Sequence, residues 1–250
     1  MTPTEDEFRA LSRSSPWLWR SLHFHFADHN QDVEAWVRRP GQLRVRREGQ
    51  KDLEVDDRGL TRSGSRRVMY ATTSRRWSLR GLGRGRRPRD LPPLRWPHEV
   101  APVWRDDGLV TTRPSHHEVE YGDPMYENYY WVATLDPVEL SHHTSFDDLR
   151  EQERSGRRTW WARVRPEEGY EPRCGCCPLL WSPVSDRDEY AGGGDARLWT
   201  WQPPPGTVYP EAYQVALDVR TGVVVELVPV GDSSTPVGHR MEILADGAIA

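Results

Sequence analysis

Residues 36–45 limit the possible folds of this chain more than any other stretch, because they place two alternating runs on either side of a Pro-Gly turn. Before the turn, Ala35 and Val37 alternate with Trp36 and arginine; after it, Leu43 and Val45 alternate with arginines. A period of two places the apolar side chains on one face of a strand. The pattern therefore predicts a β-hairpin within a half-buried antiparallel sheet.

The same alternation continues on both sides of the hairpin and recurs near the end of the chain. Residues 22–26 alternate between apolar residues and histidines, and residues 53–56 alternate after a turn at Gly49. Together with the first hairpin they predict a four-stranded meander. Residues 213–219 and 223–227 predict a second hairpin, joined by an Arg-Thr-Gly turn.

A short helix is predicted at the start of the chain. Thr4 and Glu7 have the spacing of a capping box, in which each side chain bonds the other residue's backbone N–H. Phe8 and Leu11 then share one helical face, so we expect a helix over residues 5–13 that ends near Pro16.

The middle of the chain carries weaker signals. Residues 129–135 and 159–164 are bulky runs of β type and predict two further strands. Asp136 begins an Asp-Pro-Val-Glu sequence, which is typical of a helix start. Residues 178–206, rich in glycine, proline and acids, predict a long loop.

These elements predict a mainly β (α+β) fold in one domain covering residues 1–250. The 12 tryptophans and nine tyrosines offset a modest apolar content of 36% and supply enough area for a core. An insertion at about 66–95 carries ten of the arginines, and a loop at about 172–206 is rich in cysteine, glycine and proline. We expect both to lie outside the regular sheet.

Composition also indicates which classes of function to set aside. The formal net charge is -4, so the whole chain does not favour a nucleic-acid partner. We find no run of signal-peptide type at the acidic start and no apolar stretch long enough to span a membrane. A soluble, cytoplasmic protein is expected. The three cysteines, which lie close together, argue against a disulfide scaffold.

Three pieces of the sequence occur in an order that resembles the bacterial lipoprotein-carrier (LolA/RseB-like) superfamily. They are a strand ending in Trp-Val-Arg-Arg-Pro at 36–40, a Val-Asp-Asp-Arg-Gly turn at 55–59, and an Asp-Val-Arg-Thr-Gly hairpin at 218–222. The resemblance covers residues 5–62 and 208–245. The high content of arginine, tryptophan and proline is also similar to that of cytoplasmic proteins of actinobacteria.

The resemblance implies an open half-barrel of antiparallel strands, with helices lying across its concave face over an apolar cavity. Arg39 matches the family arginine that latches these helices by hydrogen bonds. Aromatic residues on the expected strands would line such a face and bind an apolar small molecule, lipid or peptide. The candidate ligand-binding residues are Phe24, Phe26, Trp36, Trp131, Trp161 and Tyr213.

The cysteine cluster offers an alternative function. Cys174, Cys176 and Cys177 lie within four positions and are possible ligands of zinc, with His116, His117, His142 or His143 completing the set. Their spacing differs from that of common structural zinc sites, and a redox role needs a strained disulfide. A tight turn with small buried thiols is the simplest interpretation.

Two further clusters, the histidines of the first strand and the arginine-rich block, each have a functional interpretation and a purely structural one. His23 and His25 share a strand face and have the spacing of a metal chelate, but no acidic partner is apparent. The Arg66–Arg95 block, with Trp77 and Trp96, has the composition of a nucleic-acid surface and equally that of a solvated loop. We find no catalytic motif, so a non-catalytic binding module is expected.

Overall fold

A computed structural model describes residues 2–56, 94–175, 177–192 and 203–247 of the chain. In this part the protein is mainly β, with an antiparallel sheet of nine strands and a separate two-stranded hairpin. The strands are β1 (Ser21–Ala27), β2 (Asp32–Arg38), β3 (Gln42–Arg46), β4 (Leu53–Asp56), β5 (Val103–Trp104), β6 (Val110–Thr112), β7 (Thr144–Arg154), β8 (Arg157–Pro166), β9 (Ala212–Asp218), β10 (Val224–Val230) and β11 (His239–Gly247). The helices are α1 (Glu5–Leu18), α2 (Tyr130–Leu135) and α3 (Pro183–Gly192), and 3-10 helices cover Pro97–Glu99 and Val138–Ser141.

The nine-stranded sheet has the order β4-β3-β2-β1-β11-β10-β9-β8-β7, and β5 pairs with β6. Strands that follow one another in the chain are neighbours within each half of the sheet, and β1 joins the halves by pairing with β11. Among the described residues the edge strands β4 and β7 do not pair with each other, so the sheet is open. The prediction of a mainly β, open antiparallel sheet is confirmed.

The hairpin of residues 36–45 forms as its alternation predicts. Val37 lies opposite Leu43 and Ala35 opposite Val45, and all four side chains are buried. Because the pairing preserves the period of two, the apolar residues of β2 and β3 fall on the same face of the sheet. β1 to β4 form the expected meander, and β9 pairs with β10 in the second hairpin.

The buried residues form two clusters against the sheet. We call the face that carries Phe24 and Phe26 the inner face. The first cluster lies mainly over β1 to β3 and includes Trp19, Phe24, Phe26, Val33, Ala35, Val37, Trp131, Leu135 and Met241. The second lies over β8 to β10 and includes Phe8, Leu11, Leu140, Ala162, Val164, Tyr170, Leu179, Leu180, Tyr213 and Val215. Helices α1 and α2 therefore pack on the sheet.

Residues 129–135 are helical for the most part, so the prediction of a strand there is wrong. The run contains Tyr, Trp and Val, which favour strands, but tertiary packing outweighs this preference. In α2, Trp131 packs against Phe24 and Phe26 while the Tyr130 hydroxyl bonds His239 of β11. The helix expected to start at Asp136 is only the 3-10 turn Val138–Ser141.

Two other expectations need correction. Helix α1 begins at the predicted capping box but continues to Leu18, past Pro16. Pro16 lacks an N–H, so the carbonyl of Ser12 loses its usual helical donor; Nη2 of Arg113 lies 3.5 Å from that oxygen. Residues 178–206 are also not one loop, because they contain α3. Most of the arginine-rich insertion lies outside the described residues, which resume at position 94.

Candidate functional site

Arg39 lies at the end of β2 and is the centre of a buried polar network. Its Nε and Nη2 donate to the two carboxylate oxygens of Asp123 at 2.9 and 2.6 Å. Its Nη1 donates to the carbonyl of Ser15 at 2.6 Å, and Nη2 lies 3.4 Å from the carbonyl of Leu135. The guanidinium also stacks over Trp19 at 3.4 Å. Arg39 thus joins the sheet to two helices and a loop.

The two carbonyls belong to the last turns of α1 and α2, where helical carbonyls lack intrahelical donors and the helix dipole is negative. A buried cation is therefore well placed between them. The Ser15 hydroxyl also donates to the Leu135 carbonyl at 2.5 Å, and it accepts a hydrogen bond from Nε1 of Trp19 at 3.0 Å. We call Arg39, Asp123, Ser15, Trp19 and Leu135 the Arg39 network.

The inner face beside this network is filled by aromatic side chains. The Trp131 ring of α2 lies 5.3 Å from Phe24, 5.0 Å from Phe26 and 5.4 Å from Tyr126. Trp131 is 2% exposed. These rings therefore fill the inner face around Trp131. A separate cavity of about 20 Å³, roughly one water molecule in size, lies beside Arg39 and is lined by residues that include Trp19, Pro97 and Tyr121.

Trp131 also carries an unpaired polar atom. Its Nε1 is buried, and within the described part of the chain no acceptor lies at hydrogen-bond distance. Leaving a buried donor unpaired costs about 1–3 kcal/mol. The closed arrangement of α2 is therefore less stable than its close aromatic packing suggests.

A second hydrogen bond attaches α2 to the sheet through His239, which is 4% exposed. Nε2 of His239 lies 3.1 Å from the carbonyl of Val224, so this nitrogen carries the proton. Nδ1 then accepts from the hydroxyl of Tyr130 at 2.8 Å. Burial lowers the pKa of His239 to about 4, so the imidazole is neutral near neutral pH.

The structure separates the six candidate ligand-binding residues. Phe24, Phe26 and Trp131 meet on the inner face, and Tyr213 is buried in the second cluster, where its hydroxyl donates to the Trp181 carbonyl at 2.6 Å. Trp161 alternates with buried Ala162, so it projects from the opposite side of β8, and it is partly buried against the first cluster. Phe24, Phe26, Trp131 and Tyr213 are core residues.

Trp36 is a correction to the expected site. It alternates with buried Ala35 and Val37 and therefore lies on the outer face. There it stacks on His23 with ring centroids 4.6 Å apart, and Arg44 and Arg46 lie over it at 5.2 and 5.0 Å. Trp36 is therefore not part of the inner face, because successive side chains of β2 lie on opposite faces of the sheet.

His23 has an acidic partner that local sequence spacing did not reveal. Its Nε2 lies 2.8 Å from Oε1 of Glu34, which comes from the neighbouring strand. The hydrogen bond with His23 lowers the pKa of Glu34, and the charge of Arg46 acts in the same direction. The pair is an ordinary, partly buried contact between neighbouring strands.

The described part of the cysteine loop, which leaves out Cys176, gives the zinc hypothesis no geometric support. Cys174 and Cys177 are partly buried, and the backbone N–H of Cys177 donates to the carbonyl of Cys174 at 3.3 Å. Cys176 lies outside the described residues. Among those that are described, no three His, Cys, Asp or Glu side chains are grouped to hold a metal ion. Zinc binding and the nucleic-acid alternative remain sequence-based hypotheses.

Two buried acids that sequence reasoning treated as helix-capping residues have contrasting environments. Asp136 bonds both Arg113 and Arg173. Burial tends to raise its pKa, but the charges of these two arginines hold the pKa below its ordinary value. Glu139 accepts a hydrogen bond from the Tyr170 hydroxyl at 2.6 Å, and the backbone N–H groups of Arg173 and Leu179 also act on its carboxylate. Burial raises the pKa of Glu139 to about 7. Nothing in local spacing distinguishes these two acids.

Comparison with known protein families and with curated protein sequences finds no match to this chain. The similarity to the lipoprotein-carrier superfamily therefore depends on its short motifs and stays a prediction. No helix in the described ranges has the length and apolar character needed to cross a membrane.

Proposed function

We propose that this protein is a non-catalytic binding module that holds an apolar ligand, such as a lipid chain or an apolar peptide, on the inner face of its sheet. The observation that carries the proposal is the Arg39 network. A single buried guanidinium, which directly follows β2 in the chain, contacts Asp123, the last turn of α1 and the last turn of α2. It is therefore positioned to control how firmly the two helices cover the aromatic face.

The proposed ligand enters when α2 moves away from the sheet. This helix has only six residues, and helices of that length depend on tertiary contacts for their stability. Its attachments are the packing of Trp131, the bond from Tyr130 to His239 and the Arg39 network. Opening also exposes the unpaired Nε1 of Trp131 to water or to a ligand acceptor, which offsets part of the lost packing.

The proposal includes two expectations from the sequence. The protein is located in the cytoplasm, and its function is similar to that of a carrier. A ligand that partitions into the aromatic face gains about 25 cal/mol for each Å² of apolar surface removed from water. The inner face supplies that surface through Phe24, Phe26 and the aliphatic residues of β2 and β3.

Stopped-flow binding of dansyl-labelled undecanoic acid tests the proposal. We expect saturable binding to the wild-type protein and about tenfold faster association with Arg39→Lys. Lysine keeps the charge but cannot bond Asp123 and two carbonyls in one plane, and weakening these bonds by about 1.4 kcal/mol makes the open state tenfold more populated. Arg44→Lys is the matched control, because Arg44 also pairs with an aspartate and lies over a tryptophan.

Two further variants locate the binding site. Phe26→Leu on the inner face should weaken binding, while Trp36→Phe on the outer face should leave it unchanged. Absence of saturable binding by both the wild-type protein and Arg39→Lys would reject the proposal. Equal association rates for wild type and Arg39→Lys would reject the role of the Arg39 network.

A further inference from the structure

The Glu139 carboxyl lies at the base of a segment that covers the second buried cluster. We call residues 170–175 and 177–181 the docking segment. Tyr170, Leu179 and Leu180 of this segment are at most 1% exposed and pack with the strand residues of β8 and β9. The Tyr170 hydroxyl donates to Oε2 of Glu139 at 2.6 Å and accepts from the Leu180 N–H at 3.1 Å. One hydroxyl thus joins the acid to both ends of the segment.

The other oxygen of Glu139 has no matching donor. Oε1 is buried, and no donor in the described part of the chain bonds it. An ionised carboxylate has about four acceptor positions to satisfy, whereas a neutral carboxyl needs fewer partners. A deeply buried charge with so few partners is disfavoured relative to the neutral acid, and this effect of burial outweighs the backbone N–H groups of Arg173 and Leu179, which act in the opposite direction. The geometry therefore favours a proton on Glu139 while the segment is docked.

The nearby arginine does not replace the missing donor. Arg173, also on the docking segment, bonds the carboxylate and the carbonyl of Asp136. Its charge is thus already paired, and Asp136 also has Arg113. The Glu139–Tyr170 pair also faces the backbone N–H groups of Arg173 and Leu179, the phenol of Tyr130 on α2 and the phenol of Tyr213 on β9. Both phenols are neutral near neutral pH because burial raises their pKa.

We propose that the proton on Glu139 controls the docking segment: the segment packs against the sheet when the carboxyl is neutral and loosens when the carboxyl ionises. Loosening gives the carboxylate access to water and releases Leu179 and Leu180 from the second cluster. The same movement changes the exposure of Cys174 and Cys177, which lie in the middle of the segment. This inference concerns the segment that covers the second buried cluster and does not depend on ligand binding.

The sign of the pH dependence follows from linkage. Burial raises the pKa of Glu139 to about 7 from an ordinary value of 4.5. The docked state therefore retains a proton that the loosened state releases between these values. Docking is firmest below about pH 4.5 and weakens about tenfold for each pH unit up to about 7, after which it is constant.

Hydrogen exchange measured from about pH 5 to pH 8 tests this inference, with protection corrected for the intrinsic pH dependence of exchange. In the wild-type protein, we expect protection of the Leu180 amide to fall about tenfold per unit up to pH 7 and then level off. Protection of β9 in the same sample should change much less. Equal pH dependence of the two regions, or a constant protection of Leu180, would overturn the proposal.

Two variants separate the carboxyl from other causes. Glu139→Gln cannot ionise, so protection of Leu180 should be independent of pH. Glu171→Gln is the matched control, because Glu171 is an exposed acid of the same segment and should retain the wild-type profile. A wild-type profile in Glu139→Gln would contradict the proposal. If that variant does not fold, the pH dependence of protection at Leu180 and in β9 of the wild-type protein still tests the proposal.

Discussion

Two arrangements of arginine, aspartate and tryptophan in the described part of the protein, one around Arg39 and one around Arg44, differ chiefly in where they lie. In the Arg39 network, Arg39 bonds Asp123 through two nitrogens and stacks over Trp19 at 3.4 Å. On the outer face, Arg44 bonds Asp52 through two nitrogens and lies over Trp36 at 5.2 Å. The side-chain chemistry is nearly the same in both places.

Burial and helix ends make the difference between them. The side chains of Arg39 and Asp123 are 10% and 4% exposed, whereas those of Arg44 and Asp52 are 47% and 27% exposed. Arg39 also bonds carbonyls at the ends of two helices, whereas in the described part of the chain Arg44 bonds its neighbouring aspartate. Of these two sites, the buried one therefore links the sheet to the helices, and the exposed one does not.

The largest difference is expected for removal of the arginines. Arg39→Met leaves Asp123 buried without its partner, so we expect the free energy of unfolding to fall by about 3–5 kcal/mol. Arg44→Met removes an exposed pair and should change it by less than about 1 kcal/mol. Urea denaturation followed by circular dichroism measures both values.

A double variant tests the reason for this difference. Arg39→Met combined with Asp123→Leu removes both charges and should recover much of the lost stability, because no unpaired ion stays buried. The double variant could instead lose as much free energy of unfolding as the two single variants lose together. The loss would then come from packing, and Arg39 and Arg44 would differ only in the buried volume that each side chain fills.

The two tryptophans should differ by a smaller amount. Trp19 is 0% exposed and its Nε1 bonds Ser15, so Trp19→Phe creates a cavity and removes a buried hydrogen bond. We expect it to lower the free energy of unfolding by about 2 kcal/mol. Trp36→Phe should lower it by less than about 0.5 kcal/mol, since Trp36 lies on the outer face. Similar losses in urea would show that the outer stack is as tightly packed as the inner one.

The sequence predicted the sheet better than it predicted the site, and the reason is the range of the interactions. Alternation in residues 36–45 depends on neighbouring residues only, so the hairpin and its buried face were predictable. Asp123 is 84 positions from Arg39, and no local pattern marks it as the partner. Arg39 itself was singled out only through the resemblance of its strand to a known family.

The error at residues 129–135 has a similar origin. The β propensity of Tyr, Trp and Val is a weak local preference. The helix is favoured instead by long-range contacts, the packing of Trp131 on Phe24 and the bond from Tyr130 to His239. Local sequence also does not tell whether an acid such as Glu139 is buried, since that depends on where the docking segment packs.

The smallest effect is expected for an ionisable group on the outer face. The hydrogen bond with His23 lowers the pKa of Glu34, so this contact stabilises the fold above the ordinary glutamate pKa and is lost as the pH falls. In His23→Phe, which keeps a ring beside Trp36 but has no hydrogen-bond donor, we expect the pKa of Glu34 to rise toward its ordinary value, measured by carboxyl chemical shifts in NMR. The charge of Arg46 should keep part of the shift, and Arg46→Gln in the same background should remove more of it. An unchanged pKa of Glu34 in His23→Phe would mean that Arg46, not the hydrogen bond from His23, lowers this pKa.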